Sequence, residues 1–215
     1  MKTKSKMLFL GMMAALIFMV CPLFPWMQTE VFAAGASGTT LTVKNKELYD
    51  ALLYHFNKSS WSNAGALAGE DEGKQEITLN MEKVKSIEIK RVDMTKDNSL
   101  EVLKTLINGC DNLEELYLET CNLTGFDYNL LNQRQKLSQL YLVDTKMTAV
   151  PNLKLEKLSI LCLSENNLSA NGACDAITRA NFPNLQTLWL DDCGLTNIDF
   201  IKNTGGGVNK SVTGG

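Results

Sequence analysis

Leu113-Glu114-Glu115-Leu116-Tyr117-Leu118-Glu119-Thr120-Cys121-Asn122-Leu123 is the stretch that decides the fold, because Leu185-Gln186-Thr187-Leu188-Trp189-Leu190-Asp191-Asp192-Cys193-Gly194-Leu195 repeats it slot for slot. Leucine fills slots one, four, six and eleven, and cysteine fills slot nine. Between the two lie Leu137, Leu140, Leu142, Thr145, Met147 and Leu158, Leu161, Leu163, Asn166, Leu168; a fifth, less regular copy opens the series with Val84, Ile87, Ile89, Val92, Met94. Slots four and six straddle one residue, so in a short strand Leu116 and Leu118 point inward while Tyr117 points outward. A buried Asn or Cys at slot nine suits a group that must satisfy turn backbone inside the protein.

The pattern, over residues 77–203, resembles the leucine-rich-repeat family. The resemblance implies an α/β fold, a leucine-rich-repeat solenoid in which a curved parallel β-sheet is backed by an irregular helical convex side. First slots at 84, 113, 137, 158 and 185 give spacings of 29, 24, 21 and 27 residues, so the return segments differ. Asn98 or Ser99 can cap a helix carrying Leu100, Leu103, Leu106 and Ile107, and Asn171 precedes a similar run of Ala173, Ala176, Ile177 and Ala180. The shortest return holds Pro151, which biases Val150 away from the helical region and predicts an extended or turn segment.

A repeat array exposes its core at each end unless something covers it. Residues 41–76 are expected to form an N-terminal helical cap, with Asn45 capping a helix that carries Leu48, Ala51, Leu52 and Phe56. The stretch Gly65 to Gly73 then reads as an acidic loop before Ile77-Thr78-Leu79, a candidate additional strand. The Gly-rich residues 204–215 are expected to be a flexible tail, leaving the last strand of the array as an exposed edge.

Lys2, Lys4 and Lys6 precede an apolar run from Met7 to Val20, the pattern of a secretory signal peptide over residues 1–33, with cleavage after Ala33 or Ala36 and residues 34–40 as a linker. An uncleaved anchor is the alternative, and this run is shorter than the ~20 residues of a membrane span. Loss of three lysines and Glu30 with the leader moves the formal charge from −3 to −5, or 18 basic against 23 acidic residues. The mature chain is thus expected to be secreted or cell-surface associated, with no integral membrane span. A mildly acidic surface without a Lys/Arg cluster argues against nucleic-acid partners.

The six cysteines become five without Cys21, and Cys121 and Cys193 stand three repeats apart, beyond disulfide reach. Unpaired thiols in an exported chain point to a bacterial source. His55 is the only histidine, and it is read as a partly exposed helix residue beside Phe56. No nucleophile, base and orienting group converge in the sequence, and no metal-ligand or phosphate-loop motif is present, so the chain is expected to be no enzyme, with no cofactor and no metal.

Recognition then falls to the outward strand positions: Ser86, Glu88 and Lys90; Glu115, Tyr117 and Glu119; Gln139, Tyr141 and Val143; Ile160, Cys162 and Ser164; Thr187, Trp189 and Asp191. From these, the partner-binding set is Glu88, Glu115, Tyr117, Glu119, Gln139, Tyr141, Val143, Cys162, Thr187, Trp189 and Asp191, centred on the aromatics. Coverage of the sheet by stacked aromatics is the competing reading. The Leu195 to Asp199 segment is similar to that of bacterial surface leucine-rich-repeat proteins such as the internalins, from which the chain departs in its irregular repeat length and its lack of a wall-sorting signal. The expected function is a protein-binding module whose partner is a host or envelope protein, acting as a monomer unless the exposed C-terminal edge pairs. The alternative is a non-binding structural or truncated piece of a larger surface protein.

Overall fold

The computed structural model describes residues 38–58, 61–205 and 209–211; the expected signal peptide and most of the expected linker lie outside the described residues. The chain opens with strand β1 (Thr39–Thr42) and helix α1 (Lys46–Lys58), followed by β2 (Leu67–Asp71) and β3 (Glu76–Leu79). Asn45 starts α1 by accepting the Glu47 amide at 3.0 Å, and Leu48, Tyr49, Leu52 and Phe56 bury one face of the helix. β3 pairs antiparallel with both β1 and β2. Six further strands follow: β4 (Ser86–Lys90), β5 (Glu115–Glu119), β6 (Gln139–Val143), β7 (Ile160–Cys162), β8 (Thr187–Trp189) and β9 (Asn209–Ser211). They form one sheet in chain order, every neighbouring pair parallel.

These elements correct the expected class. In place of a solenoid with a helical convex side and a helical cap, the molecule is α/β, with one parallel sheet and a separate three-stranded antiparallel sheet. Only α1 and α2 (Ser99–Gly109) are α-helices among the described residues. The run after Asn171 forms turns, not a helix. Gly172 sits at φ +81, and Ala173, Asp175 and Ile177 each donate to the carbonyl three residues back, which closes separate turns. After β5 the return is a short 3-10 segment, Tyr128–Gln133, begun by Asp127 accepting the Asn129 amide. The acidic stretch Glu70 to Glu72, expected as loop, instead ends β2 and enters a 3-10 turn. Residues Asn209–Ser211, expected as flexible tail, pair with β8, so the edge expected to be open is covered by the chain's own strand.

The inward slots are close-packed. In register, Ile87, Leu116, Leu140, Leu161 and Leu188 stand in one row, each at most 1% exposed. Burial of each such leucine contributes on the order of 1.5–3 kcal/mol. Slot nine closes the strand ends. Asn166 accepts the Thr145 and Met147 amides at 3.0 Å each and donates to the Leu142 and Leu163 carbonyls at 2.6 and 2.9 Å. Cys121 donates to the Ile89 carbonyl at 3.5 Å, and Cys193 to that of Leu163 at 3.2 Å. A thiol is a weaker donor than an amide but also fits, which is why both residue types occupy the slot.

Slot eight carries a regularity that residue types alone hide. Arg91, Thr120, Asp144, Glu165 and Asp192, one in each repeat, all have φ between +47 and +62. This left-handed step turns the chain out of the strand, and the Arg91, Thr120, Asp144 and Glu165 amides bond the carbonyls of Glu119, Val143, Ser164 and Asp191 in the next repeat at 2.8 to 3.0 Å. The step costs ~1–2 kcal/mol for a residue with a Cβ.

Candidate functional site: the outward face of the parallel sheet

Parallel register brings the outward residues of successive strands into columns. Glu88, Tyr117, Tyr141, Cys162 and Trp189 are directly paired across β4 to β8. The Tyr117 and Tyr141 rings lie 5.0 Å apart and tilted by 35°, and the Tyr141 and Trp189 rings 6.1 Å apart at 39°. Each tyrosine is fixed within its own strand: Tyr117 donates to Glu119 and Tyr141 to Gln139, both at 3.0 Å. Burial, more than the Glu119 bond, raises the Tyr117 pKa, and burial likewise raises that of Tyr141. Lys90 completes the near end, with its ammonium 4.6 Å from the Tyr117 ring centre, 2.8 Å from Glu88 and 3.4 Å from Glu119.

Of the expected partner-binding residues, Glu88 is exposed, and Glu115, Tyr117, Glu119, Gln139, Tyr141, Val143, Thr187, Trp189 and Asp191 are half-buried. Cys162 is corrected: it is 6% exposed and cannot offer a contact surface. Strands β6 and β8 flank β7, so at ~4.8 Å per strand their residues are spaced by two strand widths. The Tyr141 and Trp189 rings nevertheless approach to 6.1 Å, because the small cysteine between them lets both lean inward and roof it. Beneath that roof the thiol donates to Ser164 at 3.6 Å, and burial pushes its pKa up. Ser164 and Ser86, also expected to face outward, are buried as well.

A cavity of about 720 Å³ opens where α1 meets β4 and β5, lined by Tyr54, His55, Lys58, Glu88, Lys90 and Glu115 among others. Sequence reasoning missed it. His55 stacks edge-on against its chain neighbour Phe56 at 4.9 Å, but its side chain is only 10% exposed. Its Nε2 lies 2.9 Å from the Ser86 carbonyl and 3.0 Å from Asn63, and its Nδ1 4.0 Å from Glu88. Asn63 also accepts the Lys85 and Ser86 amides at 2.9 and 3.1 Å, tying the segment after α1 to the first parallel strand. Nothing in the pattern around Asn63 marks this role, since its partners are distant in sequence.

The five described cysteines are unpaired and buried, and burial raises every thiol pKa, to about 12 for Cys110 and Cys174. Among the described residues no helix is long and apolar enough to cross a membrane, and no cluster of His, Cys, Asp and Glu is arranged to hold a metal ion. No family model matches the chain, and no curated protein matches it.

Proposed function

We propose that this chain is a secreted or cell-surface protein-binding module that engages a protein partner through the outward face of its parallel sheet. The observation that carries the proposal is the stack of Tyr117, Tyr141 and Trp189. These are three large rings, half-exposed, in register and held in place before any partner arrives. Rings already fixed lose little side-chain entropy on association, and Tyr and Trp are the residue types most enriched where binding energy concentrates. The resemblance of the five-copy pattern to bacterial secreted leucine-rich-repeat proteins supports the same reading, as does the basic and apolar N-terminal segment for export.

We take the chain to act by binding rather than by catalysis, and without a cofactor. Raised pKa values keep its thiols protonated and poor as nucleophiles, and His55 is engaged with the Ser86 carbonyl. We take the chain to act as a monomer, with β8 paired to β9 of its own chain. The test is capture from host-cell and bacterial-envelope extracts by the wild type and by a Tyr117→Ala, Tyr141→Ala, Trp189→Ala variant, each shown to be folded by circular dichroism. A partner held by the wild type and lost by the variant is the expected result. Equal capture by both, or none, sinks the proposal and favours a structural piece of a larger surface protein.

A further inference from the structure

We infer that the cavity between α1 and the first two parallel strands receives a cationic side chain of the protein partner, a guanidinium or ammonium group whose counter-ion is Glu115. The inference rests on the binding role proposed above and adds the chemistry of one contact. The charged groups at the cavity differ in how they are partnered. Two acids there are paired, Asp50 with Lys46 and Glu88 with Lys90, while the Lys58 ammonium is turned onto Tyr54, bonding its neutral hydroxyl and lying 4.4 Å from the centre of its ring. Lys90 is shared with Glu119 at 3.4 Å. Among the described residues no cation pairs with the Glu115 carboxylate, which is half-buried on β5 and lines the cavity. Its pKa is raised, first by burial, then by the negative charge of Glu88, while His55 acts in the opposite direction. An anionic or neutral occupant would leave that charge uncompensated, and a cation would relieve it.

The same face already shows how it holds a cation. The Lys90 ammonium lies over the Tyr117 ring with carboxylates on both sides, an arrangement in which ring and acids act together. Glu115 is in register with Gln139, each two residues before the stacked tyrosine of its own strand, and its charge is felt at Tyr141. A partner chain lying on the aromatics can therefore reach Glu115 with one long basic side chain. The cavity is within the range of volumes that bind small groups, ~300–1,000 Å³.

The test titrates the full chain with N-acetyl-arginine N-methylamide, using the uncharged isostere N-acetyl-citrulline N-methylamide as control, and follows the Glu115 side-chain carboxyl by carbon NMR. The arginine compound is expected to perturb the Glu115 signal saturably and to draw its titration downward, while the citrulline compound does neither. Glu115→Gln should weaken arginine binding by roughly tenfold or more, the scale of one charge-assisted contact. Glu114→Gln, which removes the carboxylate paired with Lys85 at 3.1 Å, should leave it unchanged. No perturbation, an equal response to citrulline, or equal loss in both variants overturns the inference. The readout needs no protein partner, so it can fail while partner capture succeeds, or the reverse.

Discussion

Asn166→Ala removes the side chain that ties two repeats together. Six hydrogen bonds go with it: three accepted, from the Thr145 amide, the Thr145 hydroxyl and the Met147 amide, and three donated, to the carbonyls of Leu142, Leu163 and Ser164. The carbonyls fare better than the amides. Leu163 still accepts from Cys193 at 3.2 Å, and Ser164 from the Asp144 amide at 3.0 Å. The Thr145 and Met147 amides, on residues 1% and 4% exposed, are left facing a void. Each orphaned buried donor costs ~1–3 kcal/mol, so the expected loss is about 4 kcal/mol. Urea unfolding followed by tryptophan fluorescence measures it, as a fall in midpoint at unchanged slope. Asn167→Ala is the internal control, because Asn167 is exposed and among the described residues bonds only Ser169 two residues on, and it should cost under ~0.5 kcal/mol. A loss below about 1 kcal/mol for Asn166→Ala, or one equal to the control, refutes the idea that slot nine closes the repeats.

Three other perturbations have definite outcomes. Thr120→Gly removes a β-branched residue from φ +52, and should stabilise the chain by ~1 kcal/mol, a rise of roughly 2–4 °C in melting temperature; no rise would mean that the left-handed step is not strained. Trp189→Ala opens the roof over Cys162, and should raise its rate of modification by a thiol reagent by about tenfold or more, whereas an unchanged rate would place the thiol elsewhere. Glu115→Gln should raise the melting temperature at neutral pH and not in acid. The folded carboxyl titrates above its unfolded value, so its contribution is fully present below the ordinary carboxylate pKa of ~4.3 and is lost as pH rises through the folded value. A gain that persists at low pH would assign the effect to something other than this charge.

Strand positions and the inward set were legible because burial on one face forces a period of two, and the spacing of Leu116 and Leu118 recurs in all five copies. Every slot of the pattern is buried except Leu195, which is half-buried. The class was not legible to the same depth. The extended return at Pro151 was legible, but a helix was expected after Asn171 where Gly172 leaves turns, and a helical cap where β3 gathers β1 and β2 into an antiparallel sheet. At the site, alternation placed the aromatic column correctly but could not show that Cys162 lies beneath it, because the lean of Tyr141 and Trp189 depends on the small size of the residue between them. The cavity was hidden for a related reason. His55 and Glu115 are sixty residues apart, and only the packing of α1 on β4 brings them together. The left-handed slot eight escaped because no one side-chain chemistry runs through Arg91, Thr120 and the carboxylates Asp144, Glu165 and Asp192; what repeats in all five is backbone geometry.

The most direct test of the account is site-specific photocrosslinking, with a photoreactive residue placed in turn at Gln139, at Thr187, and at Lys104 on helix α2, and the products from envelope and host-cell extracts compared. One discrete partner is expected to crosslink from Gln139 and from Thr187, to be lost when Tyr141→Ala and Trp189→Ala are added, and to be absent from Lys104. Crosslinking to that partner from Lys104 alone, or equally from all three positions, would contradict the claim that the outward sheet face is the binding surface.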